Sequence, residues 1–227
     1  MVNGQKVWTT WGPVADMGFL LARTGGTGFK GLSCFVIDMH APGVTVRGLR
    51  QMGGETHFSE VFLDDVELPT DALVGEEGQG WSVATGTLAH ERTTAILSRH
   101  ASTLKAAAAL LHLAGRPGVA PSDRDRAMAV WTEAQLLCLS GYRAVVAAAE
   151  GRPSPAVWIQ RLQWGLVNRR LFELAATLRG PDALLAGDPW DDLLLTSRGW
   201  TIGGGTSEIQ RNMLAEKILG LPRAPKH

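Results

Sequence analysis

Apolar and polar residues alternate in short runs over the first third of the chain, then recur at spacings of three and four over the rest. The change falls near residue 75. Before it, β-type runs lie at Val7 to Thr10, Gly18 to Ala22, Ser33 to Asp38, Val44 to Arg47 and Phe58 to Val66. Thr24-Gly25-Gly26-Thr27-Gly28 and His40-Ala41-Pro42-Gly43 separate them as turn clusters, since their glycines supply the left-handed backbone that reversals need. After Gly75-Glu76-Glu77-Gly78-Gln79-Gly80-Trp81, Ala- and Leu-rich stretches predict helices at about 80–114, 122–150, 154–179 and 207–219. Gly115-Arg116-Pro117-Gly118, Gly151-Arg152-Pro153 and Gly180-Pro181-Asp182 break them.

The predicted fold class is α+β. A partial antiparallel β domain over residues 1–75, a meander or small barrel, is followed by a four-helix-bundle-like α domain over 76–227. Five strands opening at Val2-Asn3-Gly4 leave an unpaired edge unless earlier strands come from this chain or another.

Composition narrows the chemistry. The 227 residues are 45% hydrophobic and 19% charged, and Lys plus Arg balance Asp plus Glu at 22 each, so the sequence is that of a globular protein without a basic field. Neither nucleic acid nor a membrane is an expected partner. Cys34 and Cys138 stand alone, without the spacing of a zinc site or disulfide framework, and no metal is expected. Met1-Val2-Asn3-Gly4-Gln5 lacks signal-peptide character, which makes the expected location cytoplasmic.

The strongest motif is Gly203-Gly204-Gly205-Thr206-Ser207-Glu208-Ile209-Gln210-Arg211, followed by Leu219-Gly220-Leu221-Pro222-Arg223. Further segments stand in order before it: N-G-Q-K-V-W-T-T at 3–10, F-L-L-A-R-T at 19–24 and K-G-L-S-C-F-V-I-D at 30–38. They continue with P-G-V-T-V at 42–46, F-S-E-V-F-L-D-D-V-E-L-P at 58–69 and G-E-E-G-Q-G-W at 75–81. Together they make the chain resemble the later β-domain strands and C-terminal helical bundle of an acyl-CoA dehydrogenase. The family's N-terminal helical domain and first strands have no counterpart in these residues.

That resemblance implies FAD as cofactor, an acyl-CoA as substrate and a role in fatty acid or lipid β-oxidation. It also implies electron-transfer flavoprotein as acceptor and a homo- or hetero-oligomer built as a dimer of dimers. Acyl-CoA oxidation needs a base for the proton beside the thioester carbonyl while a hydride leaves the neighbouring carbon. A carboxylate in a dry pocket suits the first task, because desolvation strengthens it as a base. In many family members the base is a Glu just before the Gly-Thr of the C-terminal motif; here that position is Gly204. A second group places it in a Glu-Arg pair on the first bundle helix, and Leu88-Ala89-His90-Glu91-Arg92 carries that pair. The resemblance therefore implies Glu91 as the base, against the plainer reading of a solvated helix carboxylate.

By the same resemblance Arg92, Gly204 and Gly205 would meet the substrate, Arg92 toward the pantetheine or phosphates. Trp8 would pack on the flavin ring, with Thr10 hydrogen-bonding near N5, although a Trp in a sheet core is the bland alternative. Thr206 or Ser207 would cap the last helix, whose amides can receive a pyrophosphate. Glu208 would contact flavin or ribose, or simply favour the helix dipole. Two family elements depart from pattern: the basic-aromatic motif is replaced by His112-Leu113-Ala114-Gly115-Arg116-Pro117-Gly118, and a Gly-Gly-x-Gly element by Leu178-Arg179-Gly180-Pro181-Asp182. Both belong to the half of an FAD site that one subunit lends another, so a heteromeric partner or a non-catalytic companion chain remains open. The acyl group also remains open among medium, branched and steroid side-chain CoA.

Overall fold

In the computed structural model the described residues are 1–223 without 95, 153–154 and 186, and for 89–94, 96 and 156–158 the backbone alone is described. The chain forms two compact units, Met1–His90 and Glu91–His227.

The first unit holds strands β1 (Val2–Thr10), β2 (Met17–Arg23), β3 (Leu32–Asp38), β4 (Val44–Leu49), β5 (Phe58–Val66) and β6 (Leu73–Val74), and most of α1 (Gly80–Thr94). All pairings are antiparallel, but the strands form neither a single meander nor a closed barrel. One sheet has the order β1-β5-β4 and the other β2-β3-β6. Alternation explains the central strand: Ser59, Val61 and Leu63 of β5 face inward at every second position. Leu20, Ile37 and Met39 join Val61, Leu63 and Val66 in one core, so the two sheets share a single apolar interior.

Close backbone approach fixes two glycines. A Cβ at Gly43, whose φ is +86°, would lie 2.1 Å from the carbonyl oxygen of Asp64, and one at Gly80 would lie 2.4 Å from the carbonyl carbon of Ser33. Gly80 thereby lets α1 start directly against β3, and Trp81 stacks on Phe29 with centroids 4.4 Å apart. β1 and β2 are both edge strands. Their residues Val2 to Lys6 and Leu20 to Thr24 border one cavity of about 690 Å³, spanned by the Lys6 ammonium donating to the carbonyl of Leu21 at 2.9 Å.

The second unit is helical: α2 (Ile96–Ala114), α3 (Pro121–Ala149), α4 (Pro155–Arg179), α5 (Pro189–Ser197) and α6 (Ser207–Lys217). The stretch 80–114, expected to be helical, is helical at all its described residues; α1 and α2 are its parts before and after residue 95, which lies outside them. The short α5 was not expected. It begins with Asp188 accepting from the Trp190 amide at 2.8 Å, and Arg179 pairs with Asp191 at 2.5 Å and Asp188 at 3.1 Å, binding α5 to the end of α4. The core joins Ala107, Leu110 and Leu113 of α2, Ala127, Val130 and Ala134 of α3, and Val167, Leu171 and Phe172 of α4. Within it Thr103 and Asn168 satisfy each other, the Asn168 amide donating to the hydroxyl at 2.9 Å. Among the described residues no helix is long and apolar enough to cross a membrane.

Candidate active site

The residues expected to carry chemistry fall into two groups, one in each unit. In the first, Trp8 and Thr10 end β1. Lys6 pairs with Val61 but Thr9 with Ser59, so one extra residue bulges the strand there, and Trp8 takes φ 63°. A non-glycine residue in that region stores strain, which positions a side chain where a regular strand could not. Trp8 is 64% exposed in this chain and its indole meets Phe58 edge-on at 5.9 Å. Trp11, also left-handed at φ 58°, packs on His57. Trp8 near the end of β1 and Trp11 just after it are thus both exposed, with Thr10 between them in the sequence.

The second group surrounds the glycine turn. Gly204 and Gly205 have φ of 73° and 108°, conformations that favour glycine. Thr206 caps α6, its hydroxyl accepting from the Ile209 amide at 3.3 Å, so that amide is already satisfied. The Glu208 carboxylate is held below its usual range by its own amide and the Thr206 hydroxyl, and it also lies 3.5 Å from Arg211. Glu91 and Arg92 stand on the backbone of α1, but their side chains lie outside the described residues.

Several residues that build this turn were not legible as site residues. Arg161 of α4 donates to the carbonyls of Trp200, at 2.5 Å, and Gly203. Gln210, 4% exposed, donates to the carbonyl of Gly204 at 3.1 Å. Trp164 lies under Arg161 and Arg99, each 5.4 Å from its ring centroid, and packs on Trp200 at 4.8 Å. Burial, with Arg99 nearby, pushes Arg161 below the usual guanidinium range. The available signal was Gln160, Trp164 and Asn168 at four-residue spacing along one helix.

His100 sits one turn before Thr103 and is 2% exposed, with no partner for Nδ1 among the described residues. Burial first, and Arg99 second, push it down to about 4 from 6.5. It is therefore neutral at pH 7. Unfolding restores the ordinary value, so the stability associated with the neutral ring is present above pH 6.5 and lost as pH falls toward 4. Thermal melts should show that acid-side slope, of at most about 1.4 kcal/mol per pH unit, and His100→Gln should flatten it. An identical slope in the variant would assign the effect elsewhere.

With this architecture in view, residues 1–66 match the middle domain of acyl-CoA dehydrogenases and residues 78–219 match their C-terminal domain. The chain belongs to the acyl-CoA dehydrogenase family. It is similar to the acyl-CoA dehydrogenase IpdE1 of Mycolicibacterium smegmatis, with 36% identity over 100% of this chain and 59% of the relative. IpdE1 of Mycobacterium tuberculosis is 37% identical over 100% of this chain and 60% of the relative. The chain thus spans less than two thirds of these relatives. A glutaryl-coenzyme A dehydrogenase in complex with glutaryl-CoA superposes with a TM-score of 0.83 at 25% identity, covering 99% of this chain and 60% of that one. The Tcur3481-Tcur3483 steroid acyl-CoA dehydrogenase shares the fold at a TM-score of 0.80 and 24% identity, over 98% and 61% of the two chains.

Proposed function

We propose that this chain is the middle and C-terminal part of a flavin-dependent acyl-CoA dehydrogenase that converts an acyl-CoA into its 2,3-enoyl-CoA. One observation carries the reading: the glycine turn has the family's sequence but no carboxylate, while the Glu91-Arg92 pair stands on α1. Glu91 removes the proton next to the thioester carbonyl, and Arg92 binds the CoA portion. Gly204 and Gly205, lacking Cβ, let the acyl thioester approach the backbone.

The chain's own residues fit FAD. An exposed indole on a bulged strand offers a face for a planar ring, and Thr10 follows two residues along the same strand. Thr206 and Glu208, at the positive end of α6, suit the hydroxyls and phosphates of the nucleotide portion. When bound, FAD supplies the hydride acceptor. Electron-transfer flavoprotein is the proposed electron acceptor, and the cytoplasm the location.

The enzyme works as a homo- or hetero-oligomer, a dimer of dimers. An apolar stripe on α3 supports this, where Leu136, Leu139, Tyr142 and Val146 are exposed at helical spacing. A second reading, a non-catalytic partner subunit of a heteromeric dehydrogenase, is favoured by the paired open edges of β1 and β2 around their cavity. The chain purified with its co-encoded neighbours decides between them. The proposed function expects yellow flavin absorbance that bleaches on anaerobic addition of an acyl-CoA; an assembly that binds flavin only through another subunit's site and survives Glu91→Gln unchanged supports the second reading.

A further inference from the structure

Gly204 does more than omit a carboxylate, because the cation beside it changes what the position can become. A Cβ built there would lie 3.4 Å from Arg161 Nε and 4.0 Å from Nη2, so a side chain, already strained by the φ of 73°, would emerge against a guanidinium. That guanidinium is fixed: it donates to the carbonyls of Trp200 and Gly203 and lies on the face of Trp164. No carboxylate of the described residues pairs with it. Glu173 pairs with Arg169 and Arg198, and Glu208 with Arg211. Nearest to it among the charged groups of α2 is Arg99, and buried His100 beside Arg99 is neutral. The turn therefore lies beside a guanidinium that no described carboxylate pairs with.

We propose that Arg161 is the positioning residue of the glycine turn, clamping its carbonyls and keeping position 204 from hosting a catalytic base. The inference rests on the reading above in which Glu91 is the base. A carboxylate at 204 would meet, within about 4–6 Å, a cation that no described carboxylate pairs with, and would stay ionised to unusually low pH, the opposite of what proton abstraction from carbon requires. Glycine at 204 and arginine at 161 thus form a coupled pair. Restoring glutamate at the turn without removing the arginine yields a weak base.

The test places Gly204→Glu in the full chain, with Arg161 intact and with Arg161→Gln, and titrates the introduced carboxylate by carbon-13 NMR. It should ionise at about pH 3 or below beside Arg161, and near the ordinary 4.3 or above without it. Because the folded value is depressed, the variant's melting temperature relative to the parent should be more favourable at pH 7 than at pH 3 only while Arg161 is present. Equal titration in both backgrounds overturns the proposal.

If the glutamate variant does not fold, Gly204→Cys gives the same answer through its alkylation rate against pH. Its thiol should ionise below the usual 8.5 only beside Arg161, and the same profile in both backgrounds overturns the proposal. In the flavin-loaded assembly carrying Glu91→Gln, Gly204→Glu alone should leave turnover unrestored, whereas adding Arg161→Gln should raise it about tenfold or more. Full rescue by Gly204→Glu alone contradicts the proposal and leaves Glu91 as the native base. Undiminished activity of Glu91→Gln itself would instead remove the catalytic reading, while the titration difference would still establish the pair.

Discussion

Glu91→Gln should lower turnover about 10²–10⁴-fold, the usual contribution of a positioned general base, while flavin remains bound. The amide matches the carboxylate in shape but cannot accept the α proton. Loss should therefore appear in the rate of flavin bleaching after anaerobic mixing, with acyl-CoA affinity little changed. The expectation depends on two features together. The glycine turn offers no carboxylate, and its geometry, with Gly204 at φ 73° beside Arg161, opposes gaining one. An unchanged bleaching rate would show that the proton leaves by another route and that Glu91 is an ordinary helix carboxylate.

Leu171→Ala should give the largest loss of stability. Leu171 is fully buried on α4 among residues of α2 and α3, and truncation of such a leucine costs about 2–5 kcal/mol through lost transfer energy and the cavity left behind. The melting temperature should fall by roughly 10 °C, whereas Leu171→Met, which conserves volume, should cost below about 1.5 kcal/mol. Function is coupled to this packing because α4 also carries Arg161, Trp164 and Asn168. A core that loosens around Leu171 releases the clamp on the glycine turn, so the alanine variant should lose activity below its unfolding temperature. Equal stability of the alanine and leucine proteins, measured by calorimetry, would show that this helix contact is not what holds the second unit together.

The elements were legible where a period repeats. β5 runs from Phe58 to Val66 as its alternation predicted, because one face is buried along its length. β6 was not legible: two residues pair only with Phe35 and Cys34, too short for any period. Alternation also says which face of a strand is buried but not which strand lies beside it, hence a meander or small barrel was expected where two sheets formed. α5 escaped notice although Asp188-Pro189 is a helix-start signal, because its nine residues offer little more than two turns of pattern.

The site divided similarly. Thr206 was legible as a cap since capping is local. Arg161 was not, because its contacts lie 39 and 42 residues along the chain, and only tertiary folding makes a helix arginine into a clamp on a glycine turn. The bulge at Trp8 and its exposure were not legible, since a sequence shows that an indole lies on a strand but not which way the backbone turns it.

Anaerobic mixing of the flavin-loaded assembly with a saturated acyl-CoA, followed by mass analysis of the thioester, tests the central claim most directly. Acyl-CoA dehydrogenation predicts that bleaching is matched, mole for mole, by a product lighter by two hydrogens with its double bond at carbons 2 and 3. Bleaching without that product, or recovery of the intact acyl-CoA from an assembly that binds flavin, would contradict it.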